Sequence, residues 1–271
     1  MWWDGGMRPD GPSITARVVA ANRARLERPA APTGDPGADD RLCAELAEGF
    51  GGDYKDVFEW VSARTRFFDG EVLAALAAGV TQVVILGAGY DGRALRFRTP
   101  GVTFFEVDHP NTQADKRARV ETLGAPLDGV TLVAHDLAAG SLDEALTGAG
   151  HSSTEPTLFL AEGLLRYLPE VTVHELFSVT AARSAPGSVF ALTFSTREPG
   201  TEVSQEERDH EALLAELGEH VLTLPSQATA LDWLTTGGWV PEVIADVPTE
   251  HKRAGDGRLL IRATPADGLG G

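Results

Sequence analysis

The chain has little of what staples or anchors a fold from outside. Only one of its 271 residues is cysteine, Cys43. That excludes an internal disulfide and a cysteine zinc cluster, and Cys43 itself reads as a small buried hydrophobe. No apolar run approaches the roughly 20 residues that cross a bilayer. The opening Met1-Trp2-Trp3-Asp4-Gly5-Gly6 does not read as a signal peptide, because no basic flank precedes an apolar core. Positive charge is scarce: 23 lysines and arginines face 40 aspartates and glutamates, a net charge of −17. A surface this acidic repels phosphate backbones. The charge is spread along the chain, as solubility requires, and is not gathered in a tail. The expectations are a reducing cytoplasm, no membrane and no nucleic-acid partner. What is present is a hydrophobic fraction of 42%, enough for a real core, in a length that suits one large α/β domain or a smaller domain with an accessory segment.

Two textures divide the chain. Residues 1 to 12 are rich in glycine and proline and read as loose. Ser13 to Glu27 has apolar residues at helical spacing with Ser13 as N-cap. Pro29 to Asp40 reads as a loop, and Arg41–Phe50 and Tyr54–Arg66 as helices. The expected organisation is therefore a helical extension over 1–70 and a main domain over 71–271. In the main domain helices alternate with short apolar strands. The strands are Gln82–Leu86, Val102–Val107, Val130–Ala134, Thr157–Ala161 and Ser188–Phe194. The helices are Glu71–Ala78, Asp91–Phe97, Asn111–Leu123, Leu142–Leu146 and Pro169–Arg183, the last with proline in its first turn. This alternation predicts an α/β fold with a parallel sheet and helices on both faces. A charged, glutamate-rich stretch, 196–225, interrupts the rhythm as a helical insert after the fifth strand. Then come helix Ser226–Thr235 and strands Trp239–Val247 and Arg258–Thr264. The loop Pro248–Gly257 has no room for a crossover helix, so the last two strands should pair as an antiparallel hairpin.

Four signals fall in order, each at the end of a successive strand. The first is Gly87-Ala88-Gly89-Tyr90-Asp91-Gly92, where glycines let the backbone turn sharply and let a ligand lie on it. Literally this is the dinucleotide fingerprint, and it fits NAD(P), FAD or S-adenosylmethionine alike. The second is Phe104-Phe105-Glu106-Val107-Asp108. An acid closing the second strand can accept from ribose hydroxyls, with Asp108 the first choice and Glu106 the second. The third is His135-Asp136-Leu137, where a carboxylate can accept from the adenine amino group and the next backbone N–H can serve a ring nitrogen. An N-cap or turn aspartate is the alternative. The fourth is Glu162, which closes the apolar strand before Gly163-Leu164-Leu165-Arg166-Tyr167 at the mouth of the sheet.

These residues resemble the leucine carboxyl methyltransferase family, in particular its bacterial branch that acts on small molecules. The resemblance lies in Ser13-Ile14-Thr15-Ala16 and the helix through Arg25, Asp35-Pro36, Ala63-Arg64-Thr65-Arg66-Phe67-Phe68-Asp69, Gln82 to Arg93, Phe105-Glu106-Val107-Asp108-His109-Pro110, Asp136-Leu137, and Ala161 to Leu168. The Arg-Thr-Arg-Phe-Phe-Asp and Glu-Val-Asp-x-Pro pieces are its specific parts. It implies a class I methyltransferase fold: a Rossmann-like, seven-stranded, mostly parallel sheet with an antiparallel last strand. It also implies S-adenosyl-L-methionine as cofactor, S-adenosyl-L-homocysteine as product, and methyl transfer to an oxygen of a small molecule. Carried over position by position, Arg64 would pair with the cofactor's carboxylate, with Arg66 as the alternative. Gly87, Ala88 and Gly89 would lie under the cofactor, Asp108 would hold the ribose, Asp136 and Leu137 the adenine, and Glu162 would face the amino-acid end. Ala138-Ala139 after Asp136-Leu137, and a short stretch between Val107 and Asp136, set the chain apart from the eukaryotic branch that methylates a phosphatase tail.

The acceptor is open at this level: a carboxylate needs no base, whereas a phenol with a pKa near 10 benefits from one. No general base and no metal site is assigned. Position alone puts Tyr90, Arg166, Tyr167, Ser195 and Arg197 at the rim as substrate contacts, with the N-terminal helices and the insert as a lid. His109 reads as a structural residue before Pro110, His135 as a pocket wall, and His174, His210, His220 and His251 as surface residues. Two other functions compete. An NAD(P)-linked oxidoreductase is motivated by the literal fingerprint, against which stand about 80 preceding residues and no Tyr-x-x-x-Lys pair. A non-catalytic regulator of the same fold would bind the cofactor without turnover.

Overall fold

A computed structural model describes residues 14–43, 55–203, 205, 208, 212, 215, 220–246 and 256–266. Seven strands form one sheet: β1 (Gln82–Leu86), β2 (Thr103–Asp108), β3 (Val130–Ala134), β4 (Thr157–Ala161), β5 (Val189–Arg197), β6 (Trp239–Asp246) and β7 (Asp256–Pro265). Their order is β3-β2-β1-β4-β5-β7-β6. The first five strands pair in parallel, while β7 runs antiparallel to both β5 and β6. All five side chains of β1 and of β4 are buried, as expected of strands covered on both faces. The chain leaves β1 toward β2 on one side and β4 continues on the other. This reversal opens a crevice at the C-terminal strand ends, where open α/β sheets take their ligands.

Helices α3 (Lys55–Ala77), α4 (Arg93–Arg96) and α5 (Pro110–Thr122) follow one another in the first half, and α6 (Leu142–Gly148), α7 (Glu170–Ala182) and α8 (Gln227–Thr236) in the second. One core layer packs Phe68 and Val72 of α3 on Val83, Ile85 and Phe104. The opposite layer gathers Phe159, Phe177, Phe190, Phe194 and Trp239. Trp239 is fully buried, and its indole N–H donates to the Phe177 carbonyl at 3.0 Å, which removes the cost of a buried donor.

The expected strands are all present, with three differences of extent elsewhere. Tyr54–Arg66 and Glu71–Ala78 join into the single helix α3, which runs through the expected boundary at residue 70. Gly70 has nothing within 4 Å of the place a Cβ would take. It therefore costs the helix only its intrinsic penalty, about 1 kcal/mol, which packing of Phe68 and Val72 outweighs. The second difference is in β5, which continues past Phe194 to Arg197 because β7 supplies partners for Ser195, Thr196 and Arg197. The third is at the N-terminus: α1 (Ile14–Arg23) and α2 (Ala38–Cys43) are both shorter than expected among the described residues. Ser13, the proposed cap, and most of 204–219 lie outside them. Among the described residues no helix is long and apolar enough to cross a membrane.

Candidate functional site

A cavity of about 490 Å³ opens over the C-terminal ends of β3, β2, β1 and β4. Its floor is the turn after β1. Gly87 and Gly89 have φ of +63° and +50°, a region that side chains disfavour. A Cβ at Gly87 would lie 2.8 Å from Leu164 Cδ1. The Gly89 N–H donates to Asp108 Oδ2 at 2.6 Å, and the His109 N–H to Asp108 Oδ1 at 2.7 Å. Asp108 thus ties the glycine turn to the end of β2 while facing the cavity. Burial pushes its carboxyl above the usual range, against the lowering effect of those donors. At the end of β3, Asp136 Oδ1 accepts from the Ala138 N–H at 2.9 Å, forming a tight turn that sets Asp136 and Leu137 on the wall.

Glu106, the second choice for the ribose, faces elsewhere. It is buried with its Oε2 2.5 Å from Lys116 Nζ of α5. Two residues before the strand end is about 7 Å deeper in the sheet, so Asp108 reaches the mouth and Glu106 does not.

The fourth corner is a buried charge cluster. Glu162, just after β4, lies 2.9 Å from Arg23, 2.8 Å from Arg64 and 2.6 Å from Arg93. Arg93, fully buried, also reaches Asp91 and Asp69. Asp69 and Asp39 share Arg28, and Asp39 takes Arg96. Five guanidinium groups thus face four carboxylates, an excess of one positive charge. Burial lowers the basicity of these arginines. In Arg23 and Arg93 the surrounding carboxylates reverse the effect and raise it. In Arg64 burial prevails, because its one carboxylate, Glu162, is shared with Arg23 and Arg93. The three arginines hold Glu162 itself well below the usual carboxylate range despite its burial. Arg64 Nε, Arg23 Nε and Glu162 Oε1 are buried at ion-pair distance but without an aligned hydrogen bond. This corner is under-satisfied, and a zwitterionic ligand would complete it.

Arg64, Gly87, Ala88, Gly89, Asp108, Asp136, Leu137 and Glu162 all line this one cavity. Of the expected rim residues, Tyr90 and Tyr167 line it too. The Tyr90 hydroxyl, however, is bonded to Asp115 at 2.5 Å, so the ring serves as wall. Arg166 stacks over Tyr167 instead, with its guanidinium carbon 5.5 Å from the ring centre. Ser195 and Arg197 sit in the β5–β7 ladder. The structure does not bring these three to the cavity. Arg66 is exposed and does not line it either. Sequence reasoning missed Arg23, together with Thr15, Ala16 and Val19 of the same helix, which form one wall. The helical spacing of residues 15, 16, 19 and 23 could have indicated a shared face, but not what it covers. His210 and His251 lie outside the described residues. Among the described residues no group of His, Cys, Asp and Glu is arranged to hold a metal ion.

Comparison with known proteins agrees with this geometry. The sequence pattern of the family described as leucine carboxyl methyltransferase matches residues 18–181. A Mycobacterium tuberculosis (strain ATCC 25177 / H37Ra) protein named "Putative S-adenosyl-L-methionine-dependent methyltransferase" is 38% identical over 187 residues, covering 67% of this chain and 59% of its own length. The chain thus spans less than two thirds of that relative. One of the same name from Mycobacterium sp. (strain KMS) is 35% identical over 266 residues, covering 88% of this chain and 87% of its own. Among solved structures, a "putative methyltransferase" from Thermobifida fusca YX superposes with a TM-score of 0.57 at 17% identity, over 98% of this chain and 99% of that one. A geranyl diphosphate methyltransferase in complex with GPP and sinefungin does so with 0.56 at 14%, over 95% and 96%. At such identities the likeness is one of fold, the mostly parallel seven-stranded α/β sheet of class I methyltransferases.

Proposed function

We propose that this chain, which belongs to the leucine carboxyl methyltransferase family, transfers a methyl group from S-adenosyl-L-methionine to a carboxylate or hydroxyl oxygen of a small molecule. The observation that carries the reading is the cavity itself, with Asp136, Asp108, the glycine turn and the Arg64–Glu162 corner in line across β3, β2, β1 and β4. The order suits a nucleoside joined to an amino acid. Asp136 and Leu137 would take the adenine, Asp108 the ribose diol, Arg64 the carboxylate and Glu162 the ammonium. The single positive charge in excess around Glu162 fits a carboxylate.

When bound, the sulfonium supplies a methyl group already activated for transfer. The protein's part is then to fix the acceptor oxygen in line with it and to exclude water. Thr15, Ala16 and Val19 of α1 wall the cavity on one side and the segment at His220 and Leu222 on another, which suits that task. The reading is tested by incubating the protein with S-adenosyl-L-methionine and a panel of carboxylic acids and phenols, then following S-adenosyl-L-homocysteine and methylated products by mass spectrometry. Methyl esters or ethers are expected. Cofactor binding with no product across the panel would point instead to a non-catalytic member of the fold.

A further inference from the structure

We infer that the methyl acceptor is a neutral hydroxyl on an apolar skeleton, a phenol or enol and not a carboxylate, and that His220 receives its proton. The inference rests on the methyl-transfer reading and narrows it. With the cofactor laid from β3 to β4, the remaining part of the cavity lies beyond β4. There Leu164, Tyr167 and Leu168 face His220 and Leu222. The two sides are held together: the N–H groups of Leu222 and Thr223 donate to the Arg166 carbonyl at 2.8 and 3.2 Å, and the Thr223 hydroxyl to the Leu168 carbonyl at 2.6 Å. Farther on, the Arg197 N–H donates to the Pro225 carbonyl at 2.9 Å, tying the same segment to β5. His220 is therefore carried on a strap fixed at several points.

The chemistry of this end is apolar. Leu222 is 56% exposed, a large hydrophobic side chain at the cavity wall. The cations that line the cavity, Arg23 and Arg64, both face Glu162 at the cofactor end. A carboxylate acceptor entering here would leave water with no counter-ion among the described residues beyond β4, a costly transfer. A neutral hydroxyl carries no such cost, but it must lose its proton as it is alkylated. Imidazole is the side chain suited to take a proton near neutral pH. The other described histidines are placed elsewhere. His109 Nδ1 accepts from the Asn111 N–H at the start of α5, and His135 lies against Gly140 after β3. His151 is buried against Thr157 and Arg183, and His174 packs on Trp233. In the step, the acceptor O–H bond breaks and its proton passes to an imidazole nitrogen of His220. The oxygen forms the new bond to the methyl carbon as the carbon–sulfur bond breaks, leaving that electron pair on sulfur. The products are a methyl ether, a neutral thioether and an imidazolium.

The test uses two probes of one skeleton, 2-naphthol and 2-naphthoate. Calorimetry first establishes that S-adenosyl-L-homocysteine binds; if it does not, the methyl-transfer reading itself has failed. On the loaded protein, 2-naphthol is expected to bind at least about tenfold tighter than 2-naphthoate. With S-adenosyl-L-methionine present, His220→Gln is expected to lower turnover of 2-naphthol about 100-fold, the scale of a lost general base, and to abolish the acid limb of its pH profile. The melting temperature should stay unchanged. Equal or tighter binding of 2-naphthoate, binding of neither probe, or formation of the naphthoate ester in preference to the ether overturns the acceptor class. Binding of 2-naphthol without its methylation, or methylation that His220→Gln leaves unaltered in rate and pH profile, overturns the role of His220.

Discussion

Replacing Glu162 by glutamine keeps the shape of the side chain and removes its charge, at the point where three guanidinium groups converge. Glu162 lies 2.9, 2.8 and 2.6 Å from Arg23, Arg64 and Arg93, all buried. Losing one partner of a buried ion pair costs roughly 3–5 kcal/mol, because the remaining charge stays out of water. Here the excess around the cluster rises from one positive charge to two, so the upper part of that range applies. At about 2–4 °C per kcal/mol for a chain of this order, the melting temperature should fall by roughly 10 °C. Arg183 and Asp143 provide the control. They have the same 2.6 Å separation, but Asp143 is 57% exposed, so Asp143→Asn should cost about 1 kcal/mol or less. Glu162→Gln should also weaken S-adenosyl-L-homocysteine by roughly 1.5–3 kcal/mol, the scale of one charged hydrogen bond to its ammonium. Calorimetric unfolding and ligand titration read both effects. If Glu162→Gln were no less stable than Asp143→Asn, the claim that this carboxylate organises the corner would be wrong.

Other substitutions probe the frame. Gly87→Ala places a Cβ 2.8 Å from Leu164 Cδ1 at a φ of +63°. It should lose about 1–2 kcal/mol from the backbone alone and weaken the cofactor. Adding Leu164→Ala should restore only the steric part, and a Gly87→Ala protein as stable as wild type in urea would refute the strain argument. Stability should also depend on pH in two windows. His151 is buried against Arg183 and held down to about 4. As pH falls from about 6.5 to 4, the unfolded chain takes up a proton that the folded chain refuses, so stability declines. His151→Gln should flatten this window in urea titrations, and an unchanged slope would count against it. Asp39, buried but drawn down to about 2 by Arg28, Arg23 and Arg96, contributes stability that is complete above about pH 4 and lost toward pH 2. Asp39→Asn should lose it at neutral pH as well.

Much of this was legible in the sequence, for a physical reason. A strand buried on both faces must be a short continuous apolar run, so Gln82–Leu86 and Thr157–Ala161 were read with the bounds they have. The strand ends carry the site, so Asp108 and Glu162 followed from the strands. What was not legible depends on partners distant in the chain. Arg23 acquires its place only when α1 docks beside Glu162. Ser195 and Arg197 leave the rim only because β7 extends the ladder beyond Phe194. Glu106 and Asp108 have the same chemistry in sequence, and their depth in the sheet and Lys116 of α5 separate them.

The account stands most directly on what the cavity holds. Titration calorimetry of the wild-type protein with S-adenosyl-L-homocysteine and, separately, with NADH decides it, with Arg64→Ala and Asp108→Ala as companions. Binding of S-adenosyl-L-homocysteine at one site per chain, no binding of NADH, and a loss of roughly 1.5–3 kcal/mol in each variant is the expected result. Binding of NADH alone, or S-adenosyl-L-homocysteine affinity untouched by either substitution, would contradict it.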